Sequence, residues 1–212
     1  MKRLSTELVV LAADAVCGGA VGKLLSLRAA FAREILLDKV RANDISLDDA
    51  VEQDEALAMM HKYLIVALEG AASDNLHLMA EMLAGRLREH PVRTTDYLHW
   101  AETIKSLTEA EMVFLVELWK AFDHPAPASI QNKDTHKEAR DRAHAALVGE
   151  GKLCRDFDSF EMIGARLSGT GLVVLCTLMG PYNSFRPTAR LATLVRDAKL
   201  ERLVRERTGN DQ

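Results

Sequence analysis

The sequence predicts a mainly α protein, with an N-terminal multi-helix unit over residues 1–105 and an α+β unit over 106–212 that ends in helix. Three observations carry that fold class. Of the 212 residues 48% are hydrophobic and only 5% aromatic, with 12 Gly and 5 Pro, a balance that favours helix over sheet and suffices for a sizeable core. Apolar residues recur at three- and four-residue spacing through most of the chain. The clearest β-branched apolar run bounded by turn residues comes late, from Gly171 to Met179 ahead of Gly180-Pro181-Tyr182-Asn183.

The first element, residues 8–27, is apolar and rich in small residues. Read as a helix, it sets Gly18 and Gly22 four apart, a spacing that lets two backbones approach closely and makes these glycines candidates for a helix-packing interface. It is short for a membrane span, and Asp14 interrupts it, so packing inside the protein or an oligomer is favoured. Residues 28–40 read as an amphipathic helix. The acidic stretch from Asp44 to Glu55 places Asp44, Ser46, Asp48, Glu52 and Glu55 at calcium-loop spacing, but Asp49 stands where such a loop needs Gly. Helix capping by Ser46, with acids in the first turn, is the stronger reading. A helical stripe then runs from Ala56 through Met59, Tyr63 and Ala67 to Ala71. Gly70–Asp74 breaks it, Ser73 caps a helix striped by Leu76, Met79, Ala80, Leu83 and Leu87, and Pro91 stops that one. A short helix covers about 95–105.

Ser106-Leu107-Thr108-Glu109 reads as a capping box with Ser106 at the N-cap. The helix it opens repeats Met112, Leu115, Val116, Trp119 and Phe122 on one face and should be a buried central helix. After His124-Pro125-Ala126-Pro127 comes a helix at 134–149, then a short strand at Lys152–Arg155 and a helix at Asp158–Leu167. A strand from 171, a turn at 180–183, a returning strand at 184–188 and one last helix from about Pro187 to Arg207 complete the order. Trp119, Leu115, Leu147, Leu172 and Leu194 should share a core.

Helix, helix, short helix, hairpin, helix is the order of a winged helix-turn-helix domain. The text Arg166-Leu167-Ser168-Gly169-Thr170-Gly171-Leu172-Val173, with Tyr182 and then Arg186-Pro187-Thr188, resembles the end of that family. The resemblance covers the C-terminal half and is one of pattern. It implies a degenerate winged-helix-like unit with a two-stranded wing, whose reading surface is the helix before the wing. That helix is DFDSFEMIGARL. Arg166 is its one basic residue against Asp156, Asp158 and Glu161, so it is ill suited to phosphates or base edges. Net charge is −4, which gives no overall electrostatic signature of nucleic-acid binding. Basic residues gather after the wing instead, and Arg186, Arg190, Arg196, Lys199 and Arg202 are the candidates for contacting nucleic acid or a partner.

Other chemistry has little support. Cys17, Cys154 and Cys176 are too far apart for a zinc ribbon or disulfide framework, and a reducing cytoplasm fits them. No secretory signal is evident. His77 and Glu81 share a helix face without the repeated Glu-x-x-His of a two-helix metal site, and His136 and His144 read as solvent-facing. Glu69, after a nearly unbroken apolar run, is the candidate buried charge, with Arg86 or Arg28 as partner. No catalytic triad signature, phosphate loop or dinucleotide fingerprint is present. The expectation is a non-enzymatic intracellular interaction or regulatory module that self-associates, with a protein partner or itself, no metal or cofactor, and no membrane. A DNA-binding regulator is the first alternative, and an effector inserting residues 8–27 into a membrane is the second.

Overall fold

Ala20 to Ala42 forms one unbroken helix, α1, where two consecutive segments were expected to form separate elements. The run VGKLLSLRAAFAREILLDKV has no Pro or Gly after Gly22 and is dominated by good helix formers, so nothing stops the helix at Leu27-Arg28. The computed structural model describes residues 20–45, 54–87, 94–122, 133–176 and 184–209; Gly18 and the rest of 8–19 lie outside them, as do Ser46, Asp48, Asp49, Glu52 and Pro91. The described residues hold nine helices and one two-stranded antiparallel sheet. The chain divides into two compact units, Met1–Ser106 and Leu107–Gln212.

In the first unit α1 is followed by α2 (Asp54–Leu68), α3 (Ser73–Leu87) and α4 (Thr94–Lys105). Asp44, the first residue of the calcium-like spacing, closes α1. Its φ is +51°, its N–H donates to the Arg41 carbonyl and that of Ile45 to the Val40 carbonyl, a helix-ending Schellman motif usually built on Gly. Gly70 closes α2 in the same way, with φ +92° and the bonds Gly70 N–H to Ala67 and Ala71 N–H to Val66. The Arg28 guanidinium donates to Leu68 O at 3.2 Å, covering a carbonyl that helix geometry leaves open.

α3 is the centre of this unit. Every residue from Leu78 to Ala84 is buried, two full turns with no solvent-facing side, against α1, α2 and α4. A helix enclosed on all sides needs apolar or compensated residues all round. Here the exception is Glu81, which pairs with Lys39 of α1 at 2.8 Å. Tyr63 of α2 donates its hydroxyl to Ala32 O at 2.9 Å, and Tyr97 of α4 is fully buried beside it.

The second unit has α5 (Glu109–Ala121), α6 (Lys133–Leu147), α7 (Phe157–Gly169), β1 (Val173–Cys176), β2 (Ser184–Pro187), α8 (Ala189–Asp197) and α9 (Leu200–Gly209). The capping box of α5 sits two residues later than expected: Thr108 is the N-cap and Glu111 the reciprocating residue. Ser106 instead ends α4, its N–H and hydroxyl both donating to Thr103 O. Ser106-x-x-Glu109 and Thr108-x-x-Glu111 satisfy the same pattern, and burial of Leu107 decides between them. In place of the short strand at 152–155 there is a single parallel bridge between Val148 and Cys154.

α5 packs against α6, α7, β2, α8 and α9, which makes it the core helix, and Leu115, Trp119, Leu147, Leu172 and Leu194 are all buried. Phe114, Phe160 and Phe185 join α5, α7 and β2 with ring centroids 5.0 to 6.4 Å apart. His144 of α6 sets its ring edge-on to Phe157 and Phe160 at 5.1 and 4.7 Å, so it is half-buried in an aromatic cluster rather than solvent-facing. β1 and β2 pair with Val173 opposite Pro187 and Cys176 opposite Ser184; the predicted turn at 180–183 lies outside the described residues. Thr188 fastens the base of this hairpin. Its hydroxyl lies 2.8 and 2.9 Å from the Gly171 and Leu172 carbonyls and caps α8 by accepting from Leu191 N–H. The last helix is two: Lys199, at φ +54°, turns the chain between α8 and α9, because Leu194, Ala198, Leu200 and Val204 are all buried and a straight helix would leave part of that set outside.

Candidate interaction surfaces

α7 is the helix that precedes the hairpin, and its sequence sets which side faces out. Phe160, Gly164 and Leu167 are buried, so Asp158, Met162, Ala165 and Arg166 form the outer face. Met162 is 69% exposed at its centre. Asp156 caps the helix, accepting from the backbone and hydroxyl of Ser159 at 2.9 and 2.6 Å, and those bonds hold its carboxyl below the ordinary range. An anion therefore sits at the end where a phosphate would dock.

Arg166, the lone cation of this face, is engaged within the unit. Its Nε lies 2.9 Å from a carboxylate oxygen of the buried Glu111, whose other oxygen accepts from the Thr108 N–H and hydroxyl. One carboxylate thus completes the α5 cap and binds the guanidinium of α7.

The candidate basic residues do not share one helix: one lies in the hairpin itself, and α8 and α9 are separate. Arg186 lies on β2 and Arg190 on the first turn of α8, both part-buried; burial pushes Arg190 below the usual arginine range. Arg196 pairs with Asp197 at 2.7 Å, Arg202 with Glu206 at 3.3 Å and Arg205 with Glu201 at 3.0 Å. Lys199 occupies the break itself. Acids on the same helices thus offset three of the cations, and such a surface neutralises phosphates less well than its basic count suggests.

Glu69 is not a buried charge. Its side chain is 52% exposed and pairs with Lys105 at 3.3 Å, not with Arg86 or Arg28. It ends a row in which Lys105 also pairs with Glu102 at 2.7 Å and Glu102 with Lys62. The two lysines hold the Glu102 carboxyl below its ordinary range, and the acids raise Lys105. Among the described residues the buried carboxylates are Asp74, Glu81 and Glu111, which sequence reasoning passed over as buried charges. Glu81 sits within LMAEMLA, flanked by apolar residues on both sides, and that signal was available.

Gly22 is buried, on the side of α1 shared with Ala32 and Val40. It therefore faces its own unit. The outward side of α1 carries Leu24, Leu27 and Phe31, exposed by 48%, 69% and 47% at i, i+3 and i+7 spacing. Among the described residues, no three His, Cys, Asp or Glu side chains are grouped as a metal site, and no helix is long and apolar enough to cross a membrane. No protein-family model, curated protein or solved structure matches the chain.

Proposed function

We propose that the chain is a non-enzymatic protein-interaction or regulatory module that self-associates, and that its C-terminal unit is a winged-helix variant given over to protein contact. The order α5, α6, α7, β1, β2 with an antiparallel hairpin supports the winged-helix assignment. The observation that carries the function is the outer face of α7. It presents Asp158, Met162 and Ala165 where a DNA reader needs cations, and its one guanidinium is held by Glu111. Exposed apolar side chains amid few charges suit the centre of a protein interface. On β1, Val174 and Leu175 are exposed as well.

Two measurements test this. Sedimentation of the full chain should show association that rises with concentration; a strictly monomeric chain removes self-association. Titration of a fluorescent duplex should show at most weak binding that is steeply salt-dependent and insensitive to sequence, lost in Arg196→Glu/Lys199→Glu. Tight, sequence-specific binding abolished by Arg166→Ala would restore the DNA-binding regulator.

A further inference from the structure

We infer that α1 mediates the self-association: two copies of the chain pair antiparallel through Leu24, Leu27 and Phe31, flanked at each end by Lys23 of one copy and Glu34 of the other. This rests on the proposal that the chain self-associates and names the surface.

Helical spacing at about 100° per residue places Lys23, Leu24, Leu27, Ala30, Phe31, Glu34, Asp38, Arg41 and Ala42 within about 60° of the Leu27 direction. The opposite side holds the buried Gly22, Ala32 and Val40. The outward face is therefore divided along its length. Its N-terminal half is apolar with one cation, Lys23, and its C-terminal half opens with an anion, Glu34. Lys23, Leu27, Phe31 and Glu34 are all exposed, and Asp38 is occupied by Arg41 at 3.6 Å.

Charge order selects both the partner and the direction. A parallel pair of α1 helices would set Lys23 against Lys23 and Glu34 against Glu34. An antiparallel pair that places Leu27 against Phe31 brings Lys23 to within one residue, about 1.5 Å along the axis, of Glu34 at each end of the apolar centre. The self-complementarity is that of a twofold interface, in which the same patch serves both copies. Opposed helix dipoles favour the same direction. The three apolar side chains expose on the order of 300 Å² per copy, at the low end of functional patches. A dimer made by α1 alone is accordingly weak, in the micromolar range.

The test is sedimentation of the full chain from roughly 1 to 300 μM, a span that brackets a micromolar dissociation constant. Leu27→Glu should raise the dimer dissociation constant at least about tenfold by placing two carboxylates in the apolar centre, while the thermal melt at low concentration stays unchanged because the residue is exposed. Lys23→Glu and Glu34→Lys should each weaken the dimer roughly three- to tenfold, and the double variant should return to within about twofold of the parent. A wild-type chain that stays monomeric overturns this surface and self-association together. A dimer indifferent to Leu27→Glu overturns this surface and leaves self-association standing. Failure of the double variant to recover overturns the antiparallel register.

Discussion

Gly164 and Gly85 are both helical glycines, and the same substitution should move the stability of their units in opposite directions. A Cβ on Gly164 of α7 would lie 2.2 to 2.4 Å from three atoms of the Phe185 ring. Carbon atoms rest at about 3.5–4 Å, so the ring or the helix must retreat by well over 1 Å. Phe185 is 2% exposed and packs against the rings of Phe114 and Phe160, which leaves the ring little room to move. Overpacking of this kind costs about 1–3 kcal/mol, against a helix-propensity gain of at most ~1 kcal/mol. Gly164→Ala should therefore destabilise by about 1–2 kcal/mol. A Cβ on Gly85 of α3 meets nothing within 4 Å, so Gly85→Ala keeps only the propensity gain, up to ~1 kcal/mol, less any loss from its place near the helix end. Urea titration reads both, followed by circular dichroism and by fluorescence of the Trp in the affected unit: Trp119 in a Trp100→Phe background for Gly164→Ala, and Trp100 in a Trp119→Phe background for Gly85→Ala. Truncation of the obstructing ring by Phe185→Leu should remove most of the Gly164→Ala cost, a coupling of about 1 kcal/mol or more. A Gly164→Ala chain as stable as the parent would refute the close approach of α7 to β2.

Burial, with Arg140 second, holds His144 below its ordinary pKa of 6.5, while Asp141 and Glu161 oppose the shift. The folded state therefore favours the neutral ring: its contribution is complete above about pH 6.5 and is lost as pH falls below that value. Urea midpoints at pH 7.5 and 5.5 should differ more for the parent than for His144→Gln, and equal differences would contradict the aromatic cage. Asp44→Gly should stabilise by about 0.5–1 kcal/mol in thermal melts by relieving a positive φ, whereas Gly70→Ala should cost ~1 kcal/mol or more; a loss in the first case would remove the strain argument. Tyr97 has no hydrogen-bond partner for its hydroxyl among the described residues, so Tyr97→Phe should be neutral or stabilising by about 1 kcal/mol, while Tyr63→Phe should cost about 0.5–1.5 kcal/mol through its bond to Ala32.

Helices were most legible where one face alone is buried. The stripe Ala56–Met59–Tyr63 matches the buried set of α2 because polarity alternates with the helical period there, whereas the stripe Met112–Leu115–Trp119 is only part of what α5 buries. Ends were less legible. Ser106 and Thr108 compete as caps on equal chemistry, and Lys199 carries no Gly or Pro to mark the break between α8 and α9; both outcomes depend on which residues the tertiary core takes. Charge partners were the hardest. Glu69 follows an apolar run yet lies just past the end of α2, where the chain meets solvent, while Glu81 is enclosed because α3 is surrounded. Arg166 reads in the sequence as the one basic residue of the helix before the hairpin, and only the proximity of α7 to the α5 cap reveals its engagement with Glu111. The exposed stripe of α1 needed the burial of its opposite face before it could be told from a core-facing one.

Because one threonine hydroxyl both closes the base of the hairpin and caps the following helix, the strands and α8 are coupled through that side chain. A fluctuation that rotates the Thr188 side chain off the Gly171 and Leu172 carbonyls also takes the acceptor from Leu191 N–H, so the base of the sheet and the first turn of α8 would loosen together. Amide hydrogens of Thr188, Leu191 and Ala192 should then exchange with a common opening free energy, and Thr188→Ala should lower it for all three together. In Thr188→Ser, which keeps the hydroxyl, that shared protection should largely persist.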